Sequence, residues 1–217
     1  MNNVAVYVLE ITFPLAFFKV PYTVKTRNTY IIPRKKSIIS IFNSFLERPL
    51  SFWKVEGKEK LKMEEEILKD YLVGVELIEF NKCIEIQRII QVKGDKTEKP
   101  PSFTEMLVFP QYIFYIVTKQ NFFVSSFPTS YFPFGGQNDY LAYEWKIVKN
   151  EGKIEEVENE EISLNNYQLI PRDSNPVKNT EIIIEEGLEE YYVGRGTFRL
   201  QGKHKILNIF NKKILLY

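Results

Sequence analysis

The sequence predicts an α+β fold in which strands outnumber helices. One segment has the apolar spacing of a helix, whereas about eight others are continuous or alternating runs rich in β-branched and aromatic residues. Hydrophobic residues make up 44% of the 217 residues and aromatic residues 15%. This content is sufficient for a large packed core.

A buried strand and a helix come first in the chain, on either side of a basic loop. Residues 4–13 are almost continuously apolar, which predicts a central strand covered on both faces. Apolar residues then recur at helical spacing from Ser37 to Arg48, between two prolines. The cations Arg34, Lys35 and Lys36 would lie at the positive end of this helix dipole, which favours a bound anion such as phosphate.

The middle of the chain predicts strands and a projecting hairpin. Residues 71–80 have strand composition, and a tight turn is expected near Asn81. A hairpin is then expected from about Cys83 to Thr118, with the polar stretch KGDKTEKPPSF at its tip. Pro110 in its second strand indicates a sheet edge or a β-bulge.

The last third of the chain is expected to be rich in strands. A strand at residues 140–148 precedes two acid-rich connections, IEEVENEE and EIIIEEGLEE. The stretch YYVGRGTFRLQGKHKILNIF then predicts two short strands across a glycine-containing turn. We expect a division into residues 1–125 and 126–217, with a single domain as the alternative.

Charge is distributed unevenly, although the formal net charge is only +1. Residues 11–46 contain six Lys or Arg and no acid, and so do residues 191–217. The stretch 47–190 holds the remaining 17 of the 29 basic residues and 27 of the 28 acids, a net charge of −10. If the fold joins the two ends, they form one basic face suited to nucleic acid; otherwise each is a solvated surface.

The segment FKVPYTVKTRNTYIIPRKK interleaves basic and aromatic side chains, a pattern typical of single-stranded RNA binding. Arg27 and Arg34 are the strongest candidates, because a guanidinium can contact phosphate or a base edge through two hydrogen bonds. The predicted RNA-binding residues are Lys19, Tyr22, Lys25, Arg27, Tyr30, Arg34, Lys35, Lys36, Arg195, Arg199, Lys203, His204 and Lys205.

Most catalytic sites are excluded by residue counts and motifs. Cys83 and His204 are the only cysteine and histidine, which excludes an intrachain disulfide and paired-Cys or two-His metal sites. The sequence has no GxxxxGK[ST] loop and no GxSxG motif. We therefore expect no metal, no cofactor and no enzymatic activity. The alternative is metal-independent RNA cleavage, in which His204 and either Lys203 or Tyr192 would move protons.

The sequence also argues against secretion and against a membrane-spanning segment. The N-terminal stretch MNNVAVYVLEITFPLAFF has no early Lys or Arg and contains Glu10, which argues against a secretory signal. No apolar run approaches the roughly 20 residues that cross a bilayer. We expect a cytoplasmic protein with no membrane partner. A composition rich in Ile, Glu, Lys and Tyr but poor in Cys, Met and His is common in proteins from hot environments.

Residues 10–46 resemble the N-terminus of the fifth Cas protein family, a RAMP-superfamily subunit of type I CRISPR Cascade, in an archaeal form. In that family an apolar strand leads to a loop of the form Tyr-Thr-x-[KR]-x-Arg-x-[ST]-Tyr-x-x-Pro and then to a helix. Here PRKK replaces the family's Pro-Pro-x-Ser, and the C-terminal third does not align. YLVGVEL is similar to the family's second strand. The positions that match the loop and a later glycine segment are Tyr22, Thr23, Lys25, Arg27, Thr29, Tyr30, Pro33, Gly135, Gly136 and Ala142.

The resemblance implies a ferredoxin-like, RRM-related core in residues 1–125, with the hairpin as a thumb, and a mostly non-catalytic role in antiviral defence. Such subunits bind the 5′ handle of CRISPR RNA and cap the filament of seventh-family backbone subunits. They also contact the large subunit that recognises target DNA. The alternatives are an endoribonuclease that processes CRISPR repeat RNA and an assembly protein with no RNA ligand.

Overall fold

The computed structural model describes residues 3–21, 26–50, 68–87, 90–91, 97–98, 102–136, 140–185 and 188–217. These ranges contain thirteen strands and one complete helix, α1 (Lys35–Asn43). The strands are β1 (Asn3–Thr12), β2 (Leu15–Ala16), β3 (Thr26–Arg27), β4 (Tyr71–Gln87), β5 (Ile90–Gln91), β6 (Thr97–Glu98), β7 (Ser102–Thr118), β8 (Glu144–Glu158), β9 (Glu161–Pro171), β10 (Asn175–Ile183), β11 (Tyr191–Arg199), β12 (Lys203–Ile209) and β13 (Lys212–Leu216).

Eleven of the strands form one sheet, and β5 and β6 form a second, two-stranded sheet. The sheet order is β10-β11-β9-β4-β7-β1-β8-β12-β13, and β2 and β3 also pair with β7. Every pairing in the sheet is antiparallel except that of β3 with β7. β13 is the last strand in this order, and the residue after it, Tyr217, forms backbone hydrogen bonds with Val73 in β4. Six strands, β4, β7, β1, β8, β12 and β13, therefore enclose a barrel-like core.

The buried apolar side chains form three separate cores. The barrel interior is filled by side chains from β1, β7, β12 and β13. A second core lies between the outer side of β8, β12 and β13 and the strands β9 and β11. The largest core packs α1 and the N-terminal segment 13–32 against β1, β4 and β7. Within the described residues, no helix is long and apolar enough to cross a bilayer.

The predictions for the first strand and helix are confirmed in outline. β1 lies between β7 and β8, with Tyr7 and Leu9 in the core under α1 and Val6 and Val8 in the barrel core. α1 ends at Asn43, about one turn earlier than expected. It ends there because the next residues pair with segment 122–129 instead: Ser125 N–H donates to Phe45 O and Thr129 N–H to Ser44 O.

The expectation of a ferredoxin-like α+β core is wrong. Such a core covers one face of a four-stranded sheet with two helices. The described residues provide one complete helix, and after α1 all described strands except β5 and β6 join a single large sheet. β8, from the later part of the chain, pairs directly with β1, so strands from both sides of residue 125 belong to the same sheet.

The turn expected near Asn81 is also wrong. β4 runs without interruption through this point, and Asn81 pairs with Val108 at a register shift between β4 and β7. Phe109, with φ +47°, lies in the bulge just before Pro110. Pro110 therefore marks a β-bulge in a central strand, one of its two predicted roles. β4 and β7 form a hairpin with 17-residue strands, and most of its predicted tip lies outside the described residues.

The acid-rich connections prove to be largely strand. IEEVENEE covers the end of β8, a turn at Asn159 with φ +54°, and the start of β9. The beginning of EIIIEEGLEE completes β10. The two strands predicted around Gly202 are present as β11 and β12, but each pairs with other neighbours rather than with the other.

Candidate nucleic-acid interface

The basic N-terminal segment folds back on itself beside β7. Val20 N–H donates to Asn28 O at 2.9 Å, and Tyr30 N–H donates to Phe18 O at 2.8 Å. Lys19 consequently lies opposite Thr29, two residues after Arg27. Arg27 belongs to β3, which pairs with β7. Two cations that are eight positions apart in the sequence are thus held on one short folded segment.

The same segment leads into α1, whose N-terminus is strongly positive. Arg34 is the N-cap residue, no side chain caps the first turn, and that turn contains no acid. The Arg34 guanidinium lies 4.7 Å from the centroid of the Tyr30 ring and donates a hydrogen bond to its hydroxyl group. Lys36 is exposed, whereas burial lowers the pKa of Lys35. These cations and the helix dipole favour an anion at this position.

Acidic side chains near this segment contact its backbone rather than its cations. Glu105 accepts from Thr29 N–H at 3.3 Å, and Glu185 accepts from Ile31 N–H at 2.7 Å. In the part of the chain that the structure describes, no ion pair reaches Lys19, Arg27 or Arg34. Within the described ranges, the charges of Lys19, Arg27 and Arg34 are therefore not neutralised by an ion pair.

The predicted interface includes two aromatic residues, of which the structure describes only Tyr30. Tyr30 is only 1% exposed, and Arg34 lies over its ring, so Tyr30 supports the segment and offers no free face for a base. Tyr22, together with Lys25, lies outside the described residues.

A small pocket lies beside the N-terminal half of α1. Its volume is about 170 Å³, and it is lined by Lys36, Ser37, Ser40, Ile41, Tyr131, Phe134 and Gly136. Gly136 has φ +88°, and a Cβ at this position would lie 2.0 Å from Phe17 O. A glycine is therefore required where segment 131–136 approaches the N-terminal segment. Tyr131 holds segment 131–136 against α1, because its hydroxyl donates to Ser40 O in the helix at 2.6 Å.

Exposed aromatic side chains follow the same segment along α1, and the sequence reasoning did not identify them as a surface. Phe123, Phe127 and Phe132 are 77%, 71% and 57% exposed. Their backbone runs beside the end of the helix, where Leu46 pairs with Val124. The signal was present in the aromatic stretch FPTSYFPF, but its lack of regular spacing gave no indication of which rings face solvent.

The basic residues near the C-terminus have a different environment, because acids from the middle of the chain neutralise several of them. Arg195 donates two hydrogen bonds to Glu181, at 2.7 and 3.0 Å, and stacks 4.7 Å from the Tyr167 ring centroid. Arg199 pairs with Glu161 at 3.3 Å. Lys212 pairs with Glu76, and Lys213 with Glu160. Lys203 and Lys205 in β12 lie directly opposite Glu158 and Glu156 in β8.

The structure therefore does not merge the two basic ends into one face. Arg199 and Tyr191 lie at opposite ends of β11, roughly 26 Å apart along an extended strand. The N-terminal segment contacts this region through Glu185, which lies before the Tyr191 end. Instead, the basic strands near the C-terminus, β11 and β12, pair with β9 and β8, which carry acidic residues from the middle of the chain.

The residues of the predicted cleavage site are engaged in structural hydrogen bonds. His204 Nε2 lies 2.6 Å from Gln201 O, within its own turn. Tyr192 is 7% exposed, and its hydroxyl donates to Ser174 O at 3.0 Å. Among the described residues, no group of three or more His, Cys, Asp or Glu side chains is arranged to hold a metal ion.

Comparison with known proteins gives matches among solved structures only. No family model matches the chain, and no curated protein sequence matches it. A solved chain described as "CRISPR RNA-guided surveillance complex" aligns with 91% of this chain and 90% of its own length. The TM-score is 0.46 and the identity 9%. This chain is thus similar over most of its length to a chain of a CRISPR surveillance complex, at a level too low to argue function from.

Proposed function

We propose that this protein is a non-catalytic RNA-binding subunit of a Cascade-type complex, which binds the 5′ handle of CRISPR RNA through its N-terminal basic surface. That surface consists of Lys19, Arg27, Arg34, Lys35 and Lys36. The observation that carries the proposal is the contrast between the two basic ends. Arg195, Arg199, Lys212 and Lys213 form ion pairs with acids of the chain, whereas Lys19, Arg27 and Arg34 form none among the described residues.

Unpaired cations on a folded segment are an expected feature of a phosphate-binding surface. The uncapped, cationic N-terminus of α1 adds a further anion-attracting element next to them. The family resemblance of residues 10–46, described above, supports CRISPR RNA as the nucleic acid. The neighbouring pocket, lined by Tyr131 and Phe134, offers aromatic surface for a base next to Lys36.

The proposed partners follow from the same resemblance and from the exposed rings beside α1. Phe123, Phe127 and Phe132 provide apolar surface of the kind that subunit interfaces bury. We propose that a backbone subunit of the seventh family and the large subunit are the neighbours, and that target DNA is contacted only through the assembled complex.

The test compares two triple variants that remove the same charge. Lys19→Ala/Arg27→Ala/Arg34→Ala removes cations that have no ion pair within the described residues, and Arg195→Ala/Arg199→Ala/Lys213→Ala removes cations that are each ion-paired with an acid. Binding of a fluorescent handle RNA, taken from the CRISPR repeat of the source genome, is followed by anisotropy at several salt concentrations. The N-terminal variant should bind at least tenfold more weakly, and its salt slope should be smaller by about two units.

The C-terminal variant should bind within about twofold of the unchanged protein, since it removes no charge available to RNA. Equal losses in both variants, or no loss in either, would overturn the proposal. An aliquot in EDTA is also analysed on a denaturing gel. Intact RNA agrees with a non-catalytic subunit, whereas one cut at a fixed repeat position would establish the endoribonuclease alternative.

A further inference from the structure

Glu185 is a buried carboxyl group that joins the β10–β11 connection to the N-terminal segment. Its side chain comes from just beyond the end of β10 and is 7% exposed. Its Oε1 accepts a hydrogen bond from Ile31 N–H at 2.7 Å, across a separation of 154 residues in the sequence. Its other oxygen, Oε2, is buried and has no hydrogen-bond partner among the described residues.

Both backbone polar groups of Ile31 form hydrogen bonds with side chains from other parts of the chain. Its N–H donates to Glu185, and its C=O accepts from the Tyr112 hydroxyl at 2.6 Å. Ile31 lies between Arg27 and Arg34, so these two hydrogen bonds fix the chain on which both guanidinium groups are carried. No other function assigned above uses Glu185.

The charged and titratable groups that face Glu185 come from β4 and β7. Lys82 in β4 favours the ionised carboxylate, and Glu105 in β7 opposes it. These two residues also pair with each other at 3.1 Å. Burial places the Tyr112 pKa well above its ordinary value, so this hydroxyl stays protonated and continues to donate to Ile31 O.

We propose that Glu185 is a positioning residue that locks segment 29–32 in place when it is protonated and loosens that segment when it ionises. The lock is a property of the fold alone. Its consequence for RNA, a basic surface that is better ordered at lower pH, rests on the proposed function.

Burial of the carboxyl group explains the sign of the effect. Desolvation is the largest influence and raises the pKa of Glu185 to about 7, although the backbone amides of Ile31 and Ile32 and the charge of Lys82 act in the opposite direction. A carboxyl group released into solvent returns to its ordinary pKa. Between pH 6 and pH 8 the equilibrium constant for local opening should therefore rise about tenfold.

Amide hydrogen exchange of the purified full chain tests this without RNA. The protection factor of Ile31 N–H, corrected for the intrinsic exchange rate, should fall about tenfold between pH 6 and pH 8. In Glu185→Gln, which keeps an acceptor but cannot ionise, it should remain level. The control is Val73 N–H, which donates to Tyr217 O instead of to a carboxyl group and should show no such trend in either protein.

A flat protection factor in the unchanged protein, or the same slope in Glu185→Gln, would overturn the proposal. If Glu185→Gln does not fold, the Glu185 carboxyl carbon is titrated by NMR in the unchanged protein. A midpoint near pH 7 that coincides with the shift of the Ile31 amide supports the lock, and a midpoint near 4.5 excludes it. Because no RNA is present, failure here leaves the proposed RNA function standing, and failure to bind RNA leaves the lock standing.

Discussion

Val73 and Tyr217 exchange two backbone hydrogen bonds: Val73 N–H donates to Tyr217 O at 3.1 Å, and Tyr217 N–H donates to Val73 O at 3.0 Å. These bonds join the chain just after β13 to β4 and complete the ring of strands around the barrel core. The close approach of β4 and β13 at this point depends on a residue without a side chain at position 74.

Gly74→Ala should destabilise the protein by about 1–3 kcal/mol. A Cβ on Gly74 would lie 2.4 Å from Ile214 Cγ2 and 3.1 Å from Leu215 O, so β13 would have to move away. Urea unfolding provides the measurement. The matched control is Gly202→Ala, where nothing lies within 4 Å and only the positive φ of +74° opposes alanine, at about 1 kcal/mol. A Gly74 variant as stable as the unchanged protein would show that β13 does not close the barrel.

Glu76→Ala should reduce the free energy of unfolding by about 3–5 kcal/mol. Glu76 is 1% exposed and accepts from Tyr115 at 2.6 Å, Asn166 at 3.0 Å and Lys212 at 3.0 Å. Removing the carboxylate leaves three donors without their acceptor. Glu76→Gln keeps an acceptor oxygen and should lose less. A double-mutant cycle with Lys212→Ala isolates the ion pair, for which we expect a coupling of about 0.5–3 kcal/mol. Additive losses would show that the two residues act independently.

The stability of the unchanged protein should fall, relative to that of Glu185→Gln, as the pH rises from about 4.5 to 7. The folded pKa of Glu185, about 7, is higher than its ordinary value, so the folded state binds the proton more tightly than the unfolded state. The difference should reach about 3 kcal/mol and then level off above the folded pKa. Urea unfolding of both proteins across this range gives the difference directly. A difference that grows in the opposite direction, or stays constant, contradicts the assignment.

Tyr30→Ala should act on stability, and Arg34→Ala on RNA affinity. Tyr30 is buried in the core under α1, so its truncation should cost about 3–5 kcal/mol. Arg34 is exposed, and its loss should change the free energy of unfolding by less than about 1 kcal/mol. Thermal unfolding and RNA anisotropy, measured on the same samples below the unfolding transition, separate the two effects. A stable Tyr30→Ala variant with impaired binding would restore Tyr30 as a base-stacking residue.

Elements with a strong local signal were predictable from the sequence. β1 is a continuous apolar run, and α1 has apolar residues at helical spacing, so both follow from residues close together in the chain. Asn81 shows the limit of such reasoning. A polar residue after an apolar run has the same local appearance in a turn and in a β-bulge, and only the pairing with Val108 distinguishes them.

The charged strands could not be recognised for a related reason. Glu156 and Glu158 look like a solvated connection, because the basic residues opposite them in the sheet, Lys205 and Lys203, lie nearly fifty positions away in the sequence. Non-local pairing likewise gives Arg195 and Arg199 their acidic partners, Glu181 and Glu161. Glu185 gave no signal of burial, since the stretch around it contains other acids of the same type.

Closure of the barrel by its last strand has a consequence for biosynthesis. Val73 and Tyr217 are 144 positions apart, and β1 must wait for β8 before both of its edges are paired. Contacts of such large sequence separation slow folding, because a long loop must close before they form. During translation, the outer edges of β4 and β1 would remain unpaired until the later strands β9 and β8 leave the ribosome. Rapid capture by a chaperone or an assembly partner would therefore decide how much of the newly made chain escapes aggregation.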